Sequence, residues 1–181
     1  MGFLTSPNSN PMDILNIEIK AHCANPELIR SILLANKAVF KGEDHQIDTY
    51  FVVPSGRLKL REGNIENTLI FYDRIEAKGI KKSIVELFHP HNDVESLKKV
   101  LLKSMAVKVV VDKKREIYFI DNVKFHIDEV KGLGHFMEIE AISQGDQFSE
   151  EYLNKQCQYY IKLLKVGQDD FIDQSYSDLL M

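Results

Sequence analysis

Three basic residues, Arg57, Lys59 and Arg61, alternate with Leu58 and Leu60 in the segment GRLKLRE. Along an extended chain, residues of one parity share a face, so this segment sets three cations side by side with apolar residues opposite. The same division recurs elsewhere. Glu18 and Lys20 share a face, as do Tyr72 and Arg74, and Lys113 and Arg115. Lys124, His126 and Asp128 stand opposite Phe125 and Ile127, while Glu138 and Glu140 stand opposite Met137 and Ile139. Cations crowded at strand spacing repel one another unless an anion sits among them. The chemistry open to these residues is therefore capture of a multiply charged anion, with carboxylate pairs on the same kind of face. Parity alone allows two arrangements: a sheet whose charged face is solvated, or a barrel of about eight strands whose charged face points inward.

The rest of the composition narrows the partners. At 181 residues with a formal net charge of −4, the chain is not a polycation built to coat nucleic acid, and no extended nucleic-acid partner is expected. Any affinity for phosphate must come from locally arranged cations. Cys23 and Cys157 form no C-x-x-C pair, so two buried reduced thiols are expected instead of a zinc site or a disulfide. No apolar run approaches the roughly 18 residues of a membrane span. Met1 to Pro11 lacks the basic start and apolar stretch of a signal peptide. The expectation is a lead-in without fixed structure over residues 1–12, one domain over 13–181, and a cytoplasmic location. A homodimer through an outer strand or helix face is compatible with the sequence. Neither a Ser-His-Asp nor a Cys-His arrangement finds support.

Positioning such faces takes strands, and the local signals supply them. Strands are expected at 14–21, 47–53, 57–62, 68–75, 83–88, 107–111, 116–120, 123–130 and 136–143. Pro54-Ser55-Gly56 and Asp121-Asn122 mark tight turns, and Gly132 to Gly134 a looser one. Lys78-Gly79 falls in a polar loop. Asn25-Pro26 reads as an N-cap and first helical residue for a helix to about Asn36. Asn92 with Glu95 resembles a capping box, opening a helix with a core stripe of Val94, Leu97, Leu101 and Leu102. Ser149 caps a long helix through about Lys165, ended by Gly167. Its helices would cover the apolar outer faces of an α+β antiparallel barrel, closed or nearly closed, with a tunnel through it.

The ordered pieces NIEIKA, QIDTYF, GRLKLRE, LIFYDR, KKREIY, KFHIDEVKGLGHFMEIE and SYSDLL run through most of the chain. In that order and spacing they resemble the CYTH family of triphosphate tunnel metalloenzymes, and most of all the branch labelled class IV adenylate cyclase. The resemblance implies a tunnel barrel that binds ATP or another triphosphate and uses Mg²⁺ or Mn²⁺. It implies phosphate binding by Lys20, Arg57, Lys59, Arg61, Arg74, Lys113, Arg115 and Lys124, arginine by forked contacts and lysine as a point charge. It implies that Glu18, Glu138 and Glu140 hold the metal and, with Lys20, carry the catalysis. The reaction would be cyclisation of ATP or hydrolysis of a triphosphate; a phosphate-binding module with weak chemistry is the third reading.

The family signature E-x-E-x-K stands here as Asn16, Glu18 and Lys20. Asparagine is a neutral ligand, which places a second tightly held metal in question. Six further residues have two readings each. Asp48 orients a cation or caps a strand; His126 is structural or touches ligand. Asp128 orients a cation or assists the metal; Tyr176 plugs a barrel mouth or only docks the tail. Lys81 and Lys82 meet incoming phosphate or face solvent.

Overall fold

A computed structural model describes residues 14–77, 80–90, 93–145 and 147–181, with the side chains of residues 14 and 74–85 outside that description. The expected lead-in, Lys78-Gly79 and Asn92 therefore lie outside the described residues, as do the side chains of Arg74, Lys81 and Lys82.

Eight strands form one sheet: β1 (Ile14–His22), β2 (Val39–Phe51), β3 (Arg57–Glu62), β4 (Thr68–Ala77), β5 (Ile80–Phe88), β6 (Val107–Ile120), β7 (Val123–Val130) and β8 (Gly134–Gln144). Their order is β1-β8-β7-β6-β2-β3-β4-β5, and every neighbouring pair is antiparallel. Cα atoms of β1 and β5, at opposite ends of this order, come within 8 Å of each other, so the sheet curls almost into a closed barrel. Of the two arrangements that parity allows, the α+β antiparallel barrel implied by the family resemblance is the one present.

Helices cover the outside. In α1 (Pro26–Ala35), the Asn25 side chain accepts the Leu28 N–H and proline occupies the first turn, as its sequence predicts. Ile29 and Leu33 of this helix, with Leu153 and Cys157 of α3 (Glu150–Leu163), bury the outer faces of β1, β7 and β8 in one core with Ile17, Phe125, Met137 and Ile139. A second core sets Leu101 of α2 (Val94–Ser104) against Phe51 and Leu60. Full burial of one such side chain is worth about 1.5–3 kcal/mol. Both cysteines are free and buried. Among the described residues, no helix is long and apolar enough to cross a membrane.

Four local expectations differ. The segments at 107–111 and 116–120 are one strand, β6, because the charged run between them pairs along β2 and continues the alternation. Strand β2 begins at Val39, eight residues before the expected start, and its pairing with β6 slips between Phe40 and Gly42, where glycine takes a φ of 137°. Asp93, not Asn92, caps α2 through the Ser96 N–H, and Leu102 is 46% exposed, outside the core stripe. Helix α3 stops at Leu163 and Lys165 turns left-handed at φ 56°, before Gly167 is reached.

The tail returns to the barrel. After a 3-10 turn at Gln168–Asp170, Ile172 donates its N–H to the Lys20 carbonyl, and a short helix α4 (Tyr176–Leu179) follows. Tyr176, Leu179 and Leu180 meet Tyr50, Val111, Val130 and Phe136. These partners continue the inner-face parity of β2, β6, β7 and β8, so the inner face turns apolar at one end and the tail seals that end.

Candidate functional site

Two walls of the barrel carry the charged interior. On the first, Asp48 of β2 lies opposite Arg61 of β3 in register, with β6 on its other side. Its carboxylate accepts from Lys59 Nζ at 2.9 Å, from Arg61 Nε and Nη2 at 2.8 and 3.0 Å, and from Lys113 Nζ at 3.3 Å. Burial alone would raise the Asp48 carboxyl, but Lys113, Lys59 and Arg61 together hold it well below the usual carboxylate range. Three cations thus share one buried acid. The surplus is felt at Lys113, which burial and the neighbouring Arg115 push down to about 7, and at Lys59, lowered by burial and Arg61. Glu66 takes the remaining Arg61 nitrogen at 2.9 Å, on the rim.

The second wall, β1, β7 and β8, is richer in acids. Glu138 receives Lys20 Nζ at 3.0 Å, Arg115 Nη2 at 2.7 Å and His126 Nδ1 at 3.0 Å. Arg115 also forks onto Asp128. Burial opposes ionisation of Glu138, yet Arg115 and Lys20 hold it well below its ordinary value. Glu140 fares otherwise: burial, reinforced by Glu18 and Glu138 and only partly offset by Lys124, pushes it up to about 7. Burial and then Arg115 press His126 down to about 3, so its imidazole is neutral near pH 7.

Of the expected site residues, Lys59, Arg61 and Lys113 converge on the first wall, and Lys20, Arg115, Glu138 and Glu140 on the second. Lys124 is partly buried and lies opposite Glu140 in register. Glu18 also lies opposite Glu140, with its carboxylate 34% exposed and 3.9 Å from Lys20. Arg57 is drawn elsewhere, to Ser175 Oγ at 2.8 Å and Asp178 Oδ2 at 3.1 Å in the tail. Arg74 pairs with Ser83 in the β4–β5 ladder, and its side chain lies outside the described residues.

The two-way readings resolve for three residues. Asp48 orients cations. Asp128 holds Arg115 and accepts the Tyr176 hydroxyl at 2.8 Å. Tyr176 plugs: it is buried inside the barrel, with Lys20 Nζ 4.2 Å from its ring centroid. Sequence reading missed Asp44 and Gln46, buried beside Asp48 on the same parity; Asp44 accepts the Ile65 N–H at 2.9 Å and Gln46 Nε2 at 2.8 Å. It also missed Ser175 and Asp178, whose capping box was a usable signal three residues apart.

A divalent cation fits the acid wall. One donor atom each from His126, Glu138 and Glu140 lie within 4.8 Å of one another. Two buried polar atoms on these strands, Asn16 Oδ1 and His126 Nε2, have no hydrogen-bond partner. Buried carboxylate oxygens and an imidazole are donors that a divalent ion accepts.

The CYTH domain pattern matches residues 15–173. The chain therefore belongs to the CYTH family, whose metal-dependent members are adenylate cyclases or triphosphatases acting on triphosphates such as ATP. A Methanocaldococcus jannaschii protein provisionally named an adenylate cyclase is 29% identical over 139 residues, 74% of this chain and 75% of that one. A Pyrococcus horikoshii structure superposes with a TM-score of 0.79 at 25% identity, covering 91% of this chain and 99% of its own. The fold extends to a provisionally named adenylyl cyclase of Hippeastrum, described as having a dominant triphosphatase activity, at TM-score 0.67 and 15% identity over 91% of this chain and 94% of its own.

Proposed function

We propose that this chain is a divalent-metal-dependent enzyme that acts on a triphosphate bound inside the barrel. The observation that carries the reading is the adjoining of the walls on one inner face: three cations share Asp48, and an acid cluster lies beyond β6, whose Arg115 reaches Glu138. Lys59, Arg61 and Lys113 hold the phosphate chain, with Arg115, Lys20 and Lys124 toward the acid wall and Arg57 and Arg74 as further phosphate contacts. Desolvating a polyanion is unfavourable unless several cations meet it, and here they are already in place.

Glu138 and Glu140, with Glu18 beside them, hold Mg²⁺ or Mn²⁺, which when bound neutralises phosphate oxygens and polarises the phosphorus they surround. Lys20, touching Glu138, stands between these acids and the phosphate and stabilises charge as the bond to the leaving group lengthens. In hydrolysis, a water oxygen bonds to the terminal phosphorus as the bridging P–O bond breaks, releasing orthophosphate. In cyclisation, the ribose 3′-hydroxyl of ATP bonds to the α-phosphorus and pyrophosphate leaves. The name of the Methanocaldococcus jannaschii relative supports cyclisation; the activity described for the Hippeastrum protein supports hydrolysis.

Incubation with ATP and, separately, inorganic tripolyphosphate in Mg²⁺ or Mn²⁺ tests the proposal. Cyclic AMP with pyrophosphate identifies a cyclase, and orthophosphate a hydrolase. Glu138→Gln is expected to abolish either product. Thermal stabilisation by tripolyphosphate without turnover would reduce the chain to a binding module; neither stabilisation nor turnover would sink the reading.

A further inference from the structure

Within the acid wall, the cluster whose donor atoms converge is not three carboxylates but two carboxylates and an imidazole. His126 Nδ1 lies 3.0 Å from Glu138 Oε2 and 3.4 Å from Glu140 Oε1. Two ligands at right angles about an ion, each bound at about 2.1–2.2 Å, stand about 3.0 Å apart. Two of the three separations are therefore near those of neighbouring corners of a coordination octahedron, and all three donors lie within 4.8 Å of one another. His126 is 1% exposed, and only one of its ring nitrogens has a partner, since Nε2 is buried with none. Nδ1, lying against both acids, is the nitrogen that the geometry offers to an ion.

Register explains why the imidazole is there. His126 pairs with Glu138 across β7 and β8, while Lys124 and Glu140 form the next inward pair. Glu18 faces Glu140 from β1 but inclines toward Lys20. With asparagine at position 16, β1 brings fewer charges to the site than the family signature would, and β7 supplies a donor of another kind.

We propose that His126 is a nitrogen ligand of the metal, completing with Glu138 and Glu140 a mixed site that favours Mn²⁺ over Mg²⁺. This rests on the reading that the barrel interior holds a divalent ion. Mg²⁺ keeps its waters and takes oxygen ligands, whereas imidazole suits the first-row metals, with affinity rising from Mn²⁺ to Co²⁺. Neutral imidazole presents one lone pair to the ion; the ring proton now directed at Glu138 resides on Nε2 in the bound state, with no net change in charge.

Mn²⁺ added to the full chain without triphosphate is read by pulsed electron paramagnetic resonance, which detects nitrogen bound to the ion independently of turnover. A ¹⁴N coupling is expected, replaced by a ¹⁵N coupling when the chain carries ¹⁵N-labelled histidine. In His126→Gln the coupling should vanish while Mn²⁺ still binds, and the Mn²⁺ preference over Mg²⁺ in competition should shrink about tenfold or more. Labelling needs no variant, so a failure of His126→Gln to fold leaves the first readout decisive. Mn²⁺ bound with oxygen ligands alone would overturn the histidine assignment and leave the metal reading standing. No Mn²⁺ bound in the interior would overturn both.

Discussion

The two walls of the barrel solve opposite electrostatic problems with the same strand geometry. On the β2–β3–β6 wall, Asp48 serves three cations, and burial together with the neighbouring Arg115 pushes Lys113 down to about 7. On the β1–β7–β8 wall, burial, reinforced by Glu18 and Glu138, pushes Glu140 up to about 7. Under the function proposed above, a triphosphate with its metal ion would supply both charges at once.

Removing Asp48 should break the first wall most severely. Asp48→Asn leaves Lys59, Arg61 and Lys113 buried without their counter-ion, and a loss of about 3–5 kcal/mol is expected in denaturant unfolding. Tripolyphosphate should restore more stability to this variant than to the unaltered chain. An unchanged unfolding midpoint would mean that the cations do not depend on Asp48.

Separating ligand from ligand comes next. Arg61→Ala should weaken tripolyphosphate by about 1.5–3 kcal/mol in calorimetry at fixed salt. Glu140→Gln should lower Mn²⁺ affinity without weakening metal-free tripolyphosphate. Equal responses of the two ligands to the two variants would erase the distinction between the walls.

Their pH responses should be mirror images. Lys113 titrates in the folded chain near 7, below its unfolded value, so charging it is unfavourable until an anion arrives; triphosphate affinity should fall as pH rises through about 7. Folded Glu140 titrates near 7, above its unfolded value, so the ligand-free chain loses stability as pH rises toward 7. Metal binding then expels a proton, and metal affinity should fall as pH drops below about 7, by up to about tenfold per unit. Two binding titrations, one per ligand, would show the slopes; slopes of the same sign would contradict the assignment.

The smallest effect belongs to the plug. Tyr176→Phe removes one hydroxyl bond to Asp128, a carboxylate that Arg115 still holds, and should cost about 1 kcal/mol in thermal unfolding. A loss several times larger would make the tail part of the site's framework.

Much of this was legible in the strands. Alternation placed Arg57, Lys59 and Arg61 on one face and Glu138 and Glu140 on another, and the covering helices followed from capping residues such as Asn25 and Ser149. Parity could not say which acid meets which cation. Asp48 reads as an isolated acid in QIDTYF until β6 pairs beside β2 and brings Lys113, 65 residues away, to its carboxylate. The charged run 112–115 looked like a break between strands because solvent-facing charge is its ordinary meaning; in the barrel its alternate residues Lys113 and Arg115 line the inner wall.

By itself, then, the sequence determined the two-faced strands, the capped helices and the kinds of charge available, because these depend on neighbours a few residues apart. Only the tertiary structure decided how those charges are shared. Strand order set three cations on Asp48 and an imidazole between Glu138 and Glu140. Docking of the tail carried Ser175 and Asp178 to Arg57 across 118 and 121 residues. Electrostatic partnership in a buried interior falls off over a few ångströms, and no local pattern along a chain specifies which distant residues close that gap.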